Sequence, residues 1–195
     1  MPAITISRQM GSLGTQIARQ IADRLGYKMV WREVINEAAC RACAPEVALA
    51  VIDDLGLLGA RPSFRARRAY QNAVAQVMAE WAEEGEIVIV GRAGQVILGE
   101  RDDIMHVRII APLSLRIERM AEEQDIPTPA AKARVEESDR SRRHYLRRYY
   151  HVDWNDPELY DLTLNTQRLS IATAADLVIA AWTQFQRLAG AEGAP

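Results

Sequence analysis

Residues 3–18 decide the fold of this chain, and they read Ala3-Ile4-Thr5-Ile6-Ser7-Arg8-Gln9-Met10-Gly11-Ser12-Leu13-Gly14-Thr15-Gln16-Ile17-Ala18. An apolar, strand-like start leads into a loop of small residues, and an amphipathic helical run follows the loop. In this order of strand, loop and helix, a glycine-rich loop can hold phosphates on backbone N–H groups at the start of the helix. The stretch therefore predicts an α/β fold with a candidate phosphate site after its first strand.

The loop lacks the lysine of the pattern G-x-x-x-x-G-K-[ST]. When Gly11 is placed on the middle glycine of a nucleotide-kinase loop such as GPAGSGKST, Arg8 stands at the first glycine and Gly14 at the lysine. A tight turn that holds no ligand explains the same small residues equally well. Arg8 and Arg19 are the cations nearby in sequence, but a planar guanidinium is not equivalent to an ammonium group.

Length and composition are those of one globular domain, residues 1–195. Hydrophobic residues make up 49% and charged residues 26% of the chain, and the net charge of −2 gives no overall attraction to nucleic acid or to membranes. No apolar run approaches the roughly 20 residues that span a bilayer. The chain enters a strand at once, which leaves no room for a signal peptide. We therefore expect a cytoplasmic enzyme.

Cys40 and Cys43 form a C-x-x-C pair, which in other contexts marks a metal or redox site. No second pair and no nearby histidine complete a zinc site, and the sequence around the pair is helical. We interpret them as two ordinary, half-buried thiols on a helix face.

Apolar runs alternate with helical patterns along the whole chain. The runs that predict buried strands are residues 3–7, 28–31, 86–90, 105–110 and 162–165. The helical patterns are residues 15–25, 63–84, 113–123 and 129–150, with a last helix that begins at the N-cap candidate Ser170. This alternation predicts a parallel sheet wrapped by helices, in which ligands bind beyond the carboxyl ends of the strands. Ser7, Trp31, Gly91 and Asn165 fall near such ends and predict a shared cleft.

Arginines follow two of the predicted elements. Gly91-Arg92 comes directly after a buried strand, where an arginine suits bidentate capture of a phosphate, although a surface arginine in a loop has the same sequence. The helical stretch from Arg140 to Tyr150 is rich in arginine and tyrosine, and three interpretations stay open. It is a lid that neutralises a transferring phosphoryl group with Arg140 and Arg143, a nucleic-acid patch, or a solvated charged face. Composition alone favours the last.

Taken together, these motifs resemble the cytidylate kinase-like family. The matching segments are Ile4 to Ser12, Trp31-Arg32-Glu33-Val34-Ile35, Val88 to Ala93, Ala111-Pro112 with Arg116 and Arg119, Asp139 to Arg142, and Tyr160 to Thr166. Each motif is weak alone, but the ordered set runs over most of the chain. The resemblance implies a P-loop nucleoside monophosphate kinase fold with a five-stranded parallel sheet and a helical lid at about residues 125–155.

The resemblance also implies an activity, the transfer of the γ-phosphoryl group of ATP–Mg²⁺ to a nucleoside monophosphate, and a set of site residues. The residues implied to hold the ATP phosphates are Ser7, Arg8, Gly11, Ser12, Gly14, Thr15 and Gln16. Arg32 and Arg92 are implied to face the acceptor monophosphate, and Arg140, Arg142 and Arg143 to form the lid over the transferring group. No protein ligand for Mg²⁺ is assigned. Small-molecule nucleotides are the expected partners; neither a membrane nor a nucleic acid is expected.

Four positions differ from the pattern of the active kinases. Gly14 stands at the lysine, Leu13 at a loop glycine, and Trp31 and Ala93 at two aspartates. The aspartate that Ala93 replaces helps to recognise cytosine, so the sequence does not predict cytosine as the base of the acceptor. These positions leave a second hypothesis open beside the kinase, namely a protein that binds nucleotides on the kinase scaffold without transferring phosphate.

Overall fold

The structure, a computed structural model, describes residues 3–31, 33–43 and 64–192. Its centre is a five-stranded parallel sheet in the order β2-β3-β1-β4-β5. The strands are β1 (Ala3–Arg8), β2 (Lys28–Val30), β3 (Ile87–Val90), β4 (Ile104–Ile110) and β5 (Leu162–Asn165). This confirms the predicted α/β class and parallel sheet. The prediction was possible because runs of β-branched and other apolar residues bounded by polar turns are typical of strands buried on both faces.

Seven helices surround the sheet in the described part of the chain. They are α1 (Gly14–Leu25), α2 (Glu33–Arg41), α3 (Phe64–Glu84), α4 (Gly94–Ile97), α5 (Leu113–Gln124), α6 (Thr128–Tyr150) and α7 (Ile171–Glu192). Ser170 caps α7, since its Oγ accepts a hydrogen bond of 3.0 Å from the backbone N–H of Thr173. The sequence indicated a helix around Cys40, which lies in α2, but it did not give the bounds of α2 and did not predict the single turn of α4, which has too few residues to show a periodicity.

The two faces of the sheet carry separate hydrophobic layers because alternate side chains of each strand point to opposite sides. One layer joins Ala3, Ile87 and Ile89 to α2 and α3. The other joins Ile4 and Ile6 to α1 and α7 and to the neighbouring strands. Since β1 pairs with β3 on one side and β4 on the other, the loop after β1 lies at the middle of the carboxyl edge of the sheet.

Two features outside the sheet bear on the sequence predictions. Cys40 and Cys43 are free thiols and both are exposed, so their predicted half-burial is wrong; Cys43 lies beyond the last residue of α2. Within the described ranges, no three His, Cys, Asp or Glu side chains come together as a metal site. Among those same residues, none of the helices has both the length and the apolar character needed to cross a bilayer.

Candidate phosphate-binding site

A cavity of about 580 Å³ opens at the carboxyl end of β1. One wall is the loop after β1 with the first turn of α1, including Arg8, Gly11, Leu13, Gly14, Thr15 and Gln16. Trp31, Arg119 and Arg142 line other parts of the wall. The structure therefore brings five of the seven predicted phosphate residues to one cavity, together with one of the three predicted lid arginines.

The N-terminus of α1, which follows the loop, lies at the wall of this cavity. Leu13 is the N-cap residue of α1, has a left-handed backbone (φ 64) and supplies no side-chain cap. The backbone N–H groups of a first helical turn have no partner within their own helix, and here no capping side chain occupies them. Such a terminus attracts anions through both its free donors and the helix dipole. The left-handed backbone also explains why a glycine is typical of this position.

Gly11 sets how closely the loop approaches α5. Its backbone has φ +76, and a Cβ atom at this position would lie 2.5 Å from the carbonyl oxygen of Arg116. Only glycine fits both the backbone angle and this spacing. The loop therefore rests directly on the backbone of α5.

Arg116 and Asp139 form a buried ion pair beneath the loop. The guanidinium of Arg116 donates to both carboxylate oxygens of Asp139, at 3.2 and 2.8 Å, and both side chains are almost fully buried. Arg116 also donates to the carbonyls of Ala111 (3.0 Å) and Met10 (3.3 Å). One side chain thus joins the end of β4, the loop, α5 and α6.

Arg119 connects the loop to the end of β5. Its guanidinium donates to Oγ1 of Thr166 at 3.1 Å and to the carbonyl of Thr166 at 2.9 Å. The Thr166 hydroxyl is within 3.0 Å of the carbonyl of Ser12, to which it donates. Arg116, Arg119 and Thr166 entered the sequence analysis only as parts of matching motifs, because nothing in their spacing shows that they meet around the loop.

Ser7 and Ser12 lie beneath the loop, outside the cavity wall. Ser7 is buried, and its Oγ accepts a hydrogen bond of 2.9 Å from the indole N–H of Trp154. The hydroxyl of Ser12 is also buried and donates to the carbonyl of Gln9 at 2.8 Å. Both hydroxyls thus make hydrogen bonds within the protein, and neither residue lines the cavity.

Trp154 is the residue in this region that sequence reasoning missed. It is buried, and its ring lies 5.0 Å from the guanidinium carbon of Arg108, which donates to the Trp154 carbonyl. The guanidinium carbon of Arg142 lies 5.9 Å from the same ring. Trp154 therefore holds Arg142 of α6 close to the end of β1. An isolated tryptophan in an irregular segment gives no periodic signal from which this could be predicted.

Of the three predicted lid arginines on α6, one lines the cavity and two are exposed. Arg142 lines the cavity. Arg140 is exposed and paired with Glu137, and its hydrogen bond lowers the pKa of that carboxyl group. Arg143 is exposed. Arg140 and Arg143 are three residues apart and therefore share a face of the helix, whereas Arg142 lies on another face, so one position of α6 does not bring all three to the cavity.

Of the two predicted acceptor residues, Arg92 follows the carboxyl end of β3 and is not among the residues that line the cavity. Arg92 follows Gly91, has a left-handed backbone (φ 56) and is half-buried. Its charge acts on the buried Tyr70 and the partly buried Tyr145. Burial raises the pKa of Tyr70 to about 12 and that of Tyr145 well above its ordinary value, and the charge of Arg92 opposes both shifts. Arg32 lies outside the described residues.

Comparisons with known proteins, by sequence and by structure, both point to kinases. The model of the cytidylate kinase-like family matches residues 3–168 of this chain. The cytidylate kinase of Methanopyrus kandleri is 32% identical over 180 residues, which cover 86% of this chain and 86% of that protein.

Solved structures show the same fold at lower identity. An uncharacterized protein from Eubacterium ventriosum superposes with a TM-score of 0.73 at 20% identity, covering 94% of this chain and 99% of that one. A gluconokinase from Sinorhizobium meliloti superposes with a TM-score of 0.60 at 13% identity, covering 99% and 98%. The fold is that of the P-loop kinases. With a family match over most of its length, the chain belongs to the cytidylate kinase-like family.

Proposed function

We propose that this protein transfers the γ-phosphoryl group of ATP to a small phosphorylated acceptor of the nucleoside monophosphate type. The observation that carries the proposal is the cavity, where the open N-terminus of α1 faces Arg8, Arg119 and Arg142 from three different parts of the chain. Phosphoryl transfer needs little covalent chemistry from the protein, and positioned cations and N–H donors supply most of the catalysis. ATP and nucleoside monophosphates are metabolites of the cytoplasm, which is where we place the protein.

The donor phosphates would bind on the loop and the first turn of α1. The backbone N–H groups of Gly14, Thr15 and Gln16 are the donors there, and Arg8 and Arg119 add positive charge. Mg²⁺ would arrive with ATP and neutralise phosphate charge. Thr15 lines the same wall and stands at the sequence position from which a P-loop Ser or Thr reaches that ion.

The acceptor would bind on the β3 side, with its phosphate facing Arg92 and Arg32. Arg92 follows the carboxyl end of β3, beside the strand that ends in the loop. Arg142 already lines the cavity, whereas Arg140 and Arg143 would reach a transferring phosphoryl group only after α6 rotates. We therefore assign the lid function to Arg142 in the described position of α6 and to the other two in a closed position.

A second function is favoured by a specific observation, the glycine at residue 14 where the loops of active kinases carry lysine. It is the binding of a nucleotide without transfer. This alternative predicts that ATP stabilises the protein against heat while no diphosphate product forms.

A phosphotransfer assay separates the two functions. Purified protein, radiolabelled ATP and Mg²⁺ are incubated with a panel of ribo- and deoxyribonucleoside monophosphates, and labelled diphosphate is measured. We expect turnover with at least one acceptor and a loss of about tenfold or more in Arg142→Ala. Arg134→Ala is the matched control, since Arg134 lies on the same helix, is exposed and contacts Gln124. Thermal stabilisation by ATP without any product would replace the kinase proposal by the binding one.

A further inference from the structure

The side chain of Arg8 lies across the first residue of α1. A Cβ atom at residue 14 would come closer than 3.0 Å to Cβ of Arg8, a separation that real Cβ atoms essentially never show. It would also lie 3.0 Å from Cγ of Arg8 and 3.3 Å from Cβ of Ile109. The first carbons of the Arg8 side chain are close to the backbone and cannot move far. Any side chain at residue 14, a lysine included, is therefore incompatible with Arg8, and the closest collision is with the Cβ atom of residue 8.

The other end of Arg8 is placed just as closely. Its guanidinium carbon lies 5.3 Å from the ring centroid of Trp31, at cation–π distance. Its Nη1 atom would be 2.6 Å from a Cβ atom at Gly91. Gly14 and Gly91 leave the space that the Arg8 side chain occupies, and the ring of Trp31 contacts its guanidinium. Such an arrangement fixes the direction in which the charge points.

The guanidinium end of Arg8 lies between the two halves of the proposed site. On one side are the loop and α1, where the donor phosphates would bind, and Arg8 lines that cavity. On the other side is Gly91, directly before Arg92 on the proposed acceptor side. We infer that Arg8 is the catalytic cation at the point of transfer and takes over, from the end of β1, the role of a lysine at residue 14. This inference rests on the proposed function.

The chemistry of the step suits an arginine at that point. An oxygen of the acceptor phosphate forms a bond to the γ-phosphorus, and the bond from that phosphorus to the β–γ bridging oxygen breaks. The bridging oxygen leaves with the electron pair as part of ADP. The acceptor oxygen is already an anion, so no base has to remove a proton. The planar fork of Arg8 can donate to oxygens of the donor and of the transferring group together, which a single ammonium does less well.

Trp31 acts in this scheme as a positioning residue, because it contacts Arg8 and not the reacting atoms. Removal of the Trp31 ring leaves the charge of Arg8 in place but no longer fixes the orientation of the guanidinium. We therefore expect Trp31→Ala to lower kcat about tenfold with little change in the KM for ATP. Trp31→Phe keeps an aromatic ring under the guanidinium and should recover most of that loss. Equal losses in both variants would contradict the positioning role.

The decisive experiment exchanges the positions of the two cations. Arg8→Ala should lower kcat by a factor of 100 or more, the loss typical of removing one preorganised donor from a transition state. Gly14→Lys alone should also lose activity, because the new side chain meets Arg8. The double variant Arg8→Gly/Gly14→Lys removes the Cβ atom of residue 8, with which the new side chain collides, and restores a cation. It should regain at least tenfold over Arg8→Gly alone, which should be as inactive as Arg8→Ala.

Three controls keep this result interpretable. Thermal unfolding without nucleotide shows whether each variant folds, and Arg8→Gln, which keeps the stem of the side chain without its charge, replaces Arg8→Ala if the latter does not. Arg24→Ala removes an exposed arginine from the far end of α1, where it pairs with Asp176, and should leave turnover within twofold. Stabilisation by ATP and Mg²⁺ is recorded for every variant as a readout that does not depend on turnover.

The outcomes separate this inference from the proposed function. If the protein turns over and Arg8→Ala turns over equally, Arg8 is not the cation while the kinase proposal stands. If no acceptor is turned over but ATP stabilises the protein, the kinase proposal fails. In that case, loss of ATP stabilisation in Arg8→Ala and its return in the double variant support Arg8 as the phosphate-binding cation. Unchanged stabilisation in Arg8→Ala overturns it.

Discussion

At the scale of single residues, the buried pair of Arg116 and Asp139 makes the clearest prediction. Asp139→Asn keeps the shape of the side chain but leaves the guanidinium of Arg116 buried without a countercharge. Breaking a buried pair in this way typically costs about 3 to 5 kcal/mol. We expect a loss of that size in the free energy of unfolding, measured with urea. Glu137→Gln breaks an exposed pair on the same helix and should cost about 0.5 kcal/mol or less.

A stability loss for Asp139→Asn no larger than that of Glu137→Gln would contradict the structural role of this pair. The same experiment bears on the site, because Arg116 also holds the carbonyl of Met10 in the loop. We expect the variant to lose stabilisation by ATP as well as intrinsic stability.

His106 gives a prediction about pH. It is buried, its ring lies 2.6 Å from the hydroxyl of Thr5, and burial lowers its pKa although the charge of Asp161 opposes this. The unfolded chain therefore binds a proton at this residue more readily than the folded protein. Stability from the neutral ring is complete above about pH 6.5 and is lost as the pH falls through the lower folded pKa.

The measurement is urea unfolding between pH 8 and pH 5. The free energy of unfolding should fall more steeply on the acidic side in the natural protein than in His106→Asn, whose amide can keep the contact with Thr5. Parallel curves for the two proteins would show that His106 contributes nothing to the pH dependence.

At the scale of elements, two glycines with nearly the same backbone angle form a matched pair. Gly11 has φ +76, and a Cβ atom added there would collide with the carbonyl of Arg116. Gly26 has φ +70, and a Cβ atom added there would have no neighbour within 4 Å. Alanine at Gly26 should cost only the backbone strain, about 1 kcal/mol. Alanine at Gly11 adds a collision with the backbone of α5 and should cost about 1 to 3 kcal/mol more.

Thermal and urea unfolding of Gly11→Ala and Gly26→Ala test this difference directly. Equal losses would mean that the loop is free to move away from α5. The pair also separates the two reasons for which glycine is used, the backbone angle and the available space.

The elements also show where prediction from sequence ends. Strands and long helices were predicted almost to the residue, since an apolar run or an amphipathic repeat is a local signal. Gly11 and Gly14 were singled out because small residues in a loop between a strand and a helix are also a local signal. The directions of Arg140, Arg142 and Arg143 were not predictable, because they depend on how α6 is rotated against the sheet. Trp154 carries no local signal and matters only through contacts with residues far away in the chain.

At the scale of the whole molecule, α7 closes one face of the sheet although the family match ends before it. Trp182 is buried there, with its ring 6.4 Å from that of Tyr27 and 5.7 Å from that of Phe185. Trp182→Ala should cost about 3 to 5 kcal/mol by leaving a cavity. Leu188→Ala, an exposed position on the same helix, should cost no more than about 0.5 kcal/mol in the same urea experiment. Equal effects would show that α7 is not part of the core.

The mutual exclusion of Arg8 and a side chain at residue 14 has a consequence for how such a site can change over generations. A lineage that carries Arg8 and Gly14 cannot move to the lysine arrangement one substitution at a time. Gaining the lysine first produces a collision, and losing the arginine first removes the charge. Both intermediates are less fit wherever the charge matters. We therefore expect a lineage with Arg8 and Gly14, or one with lysine at residue 14, to retain its own pair of residues long after the rest of the sequence has diverged.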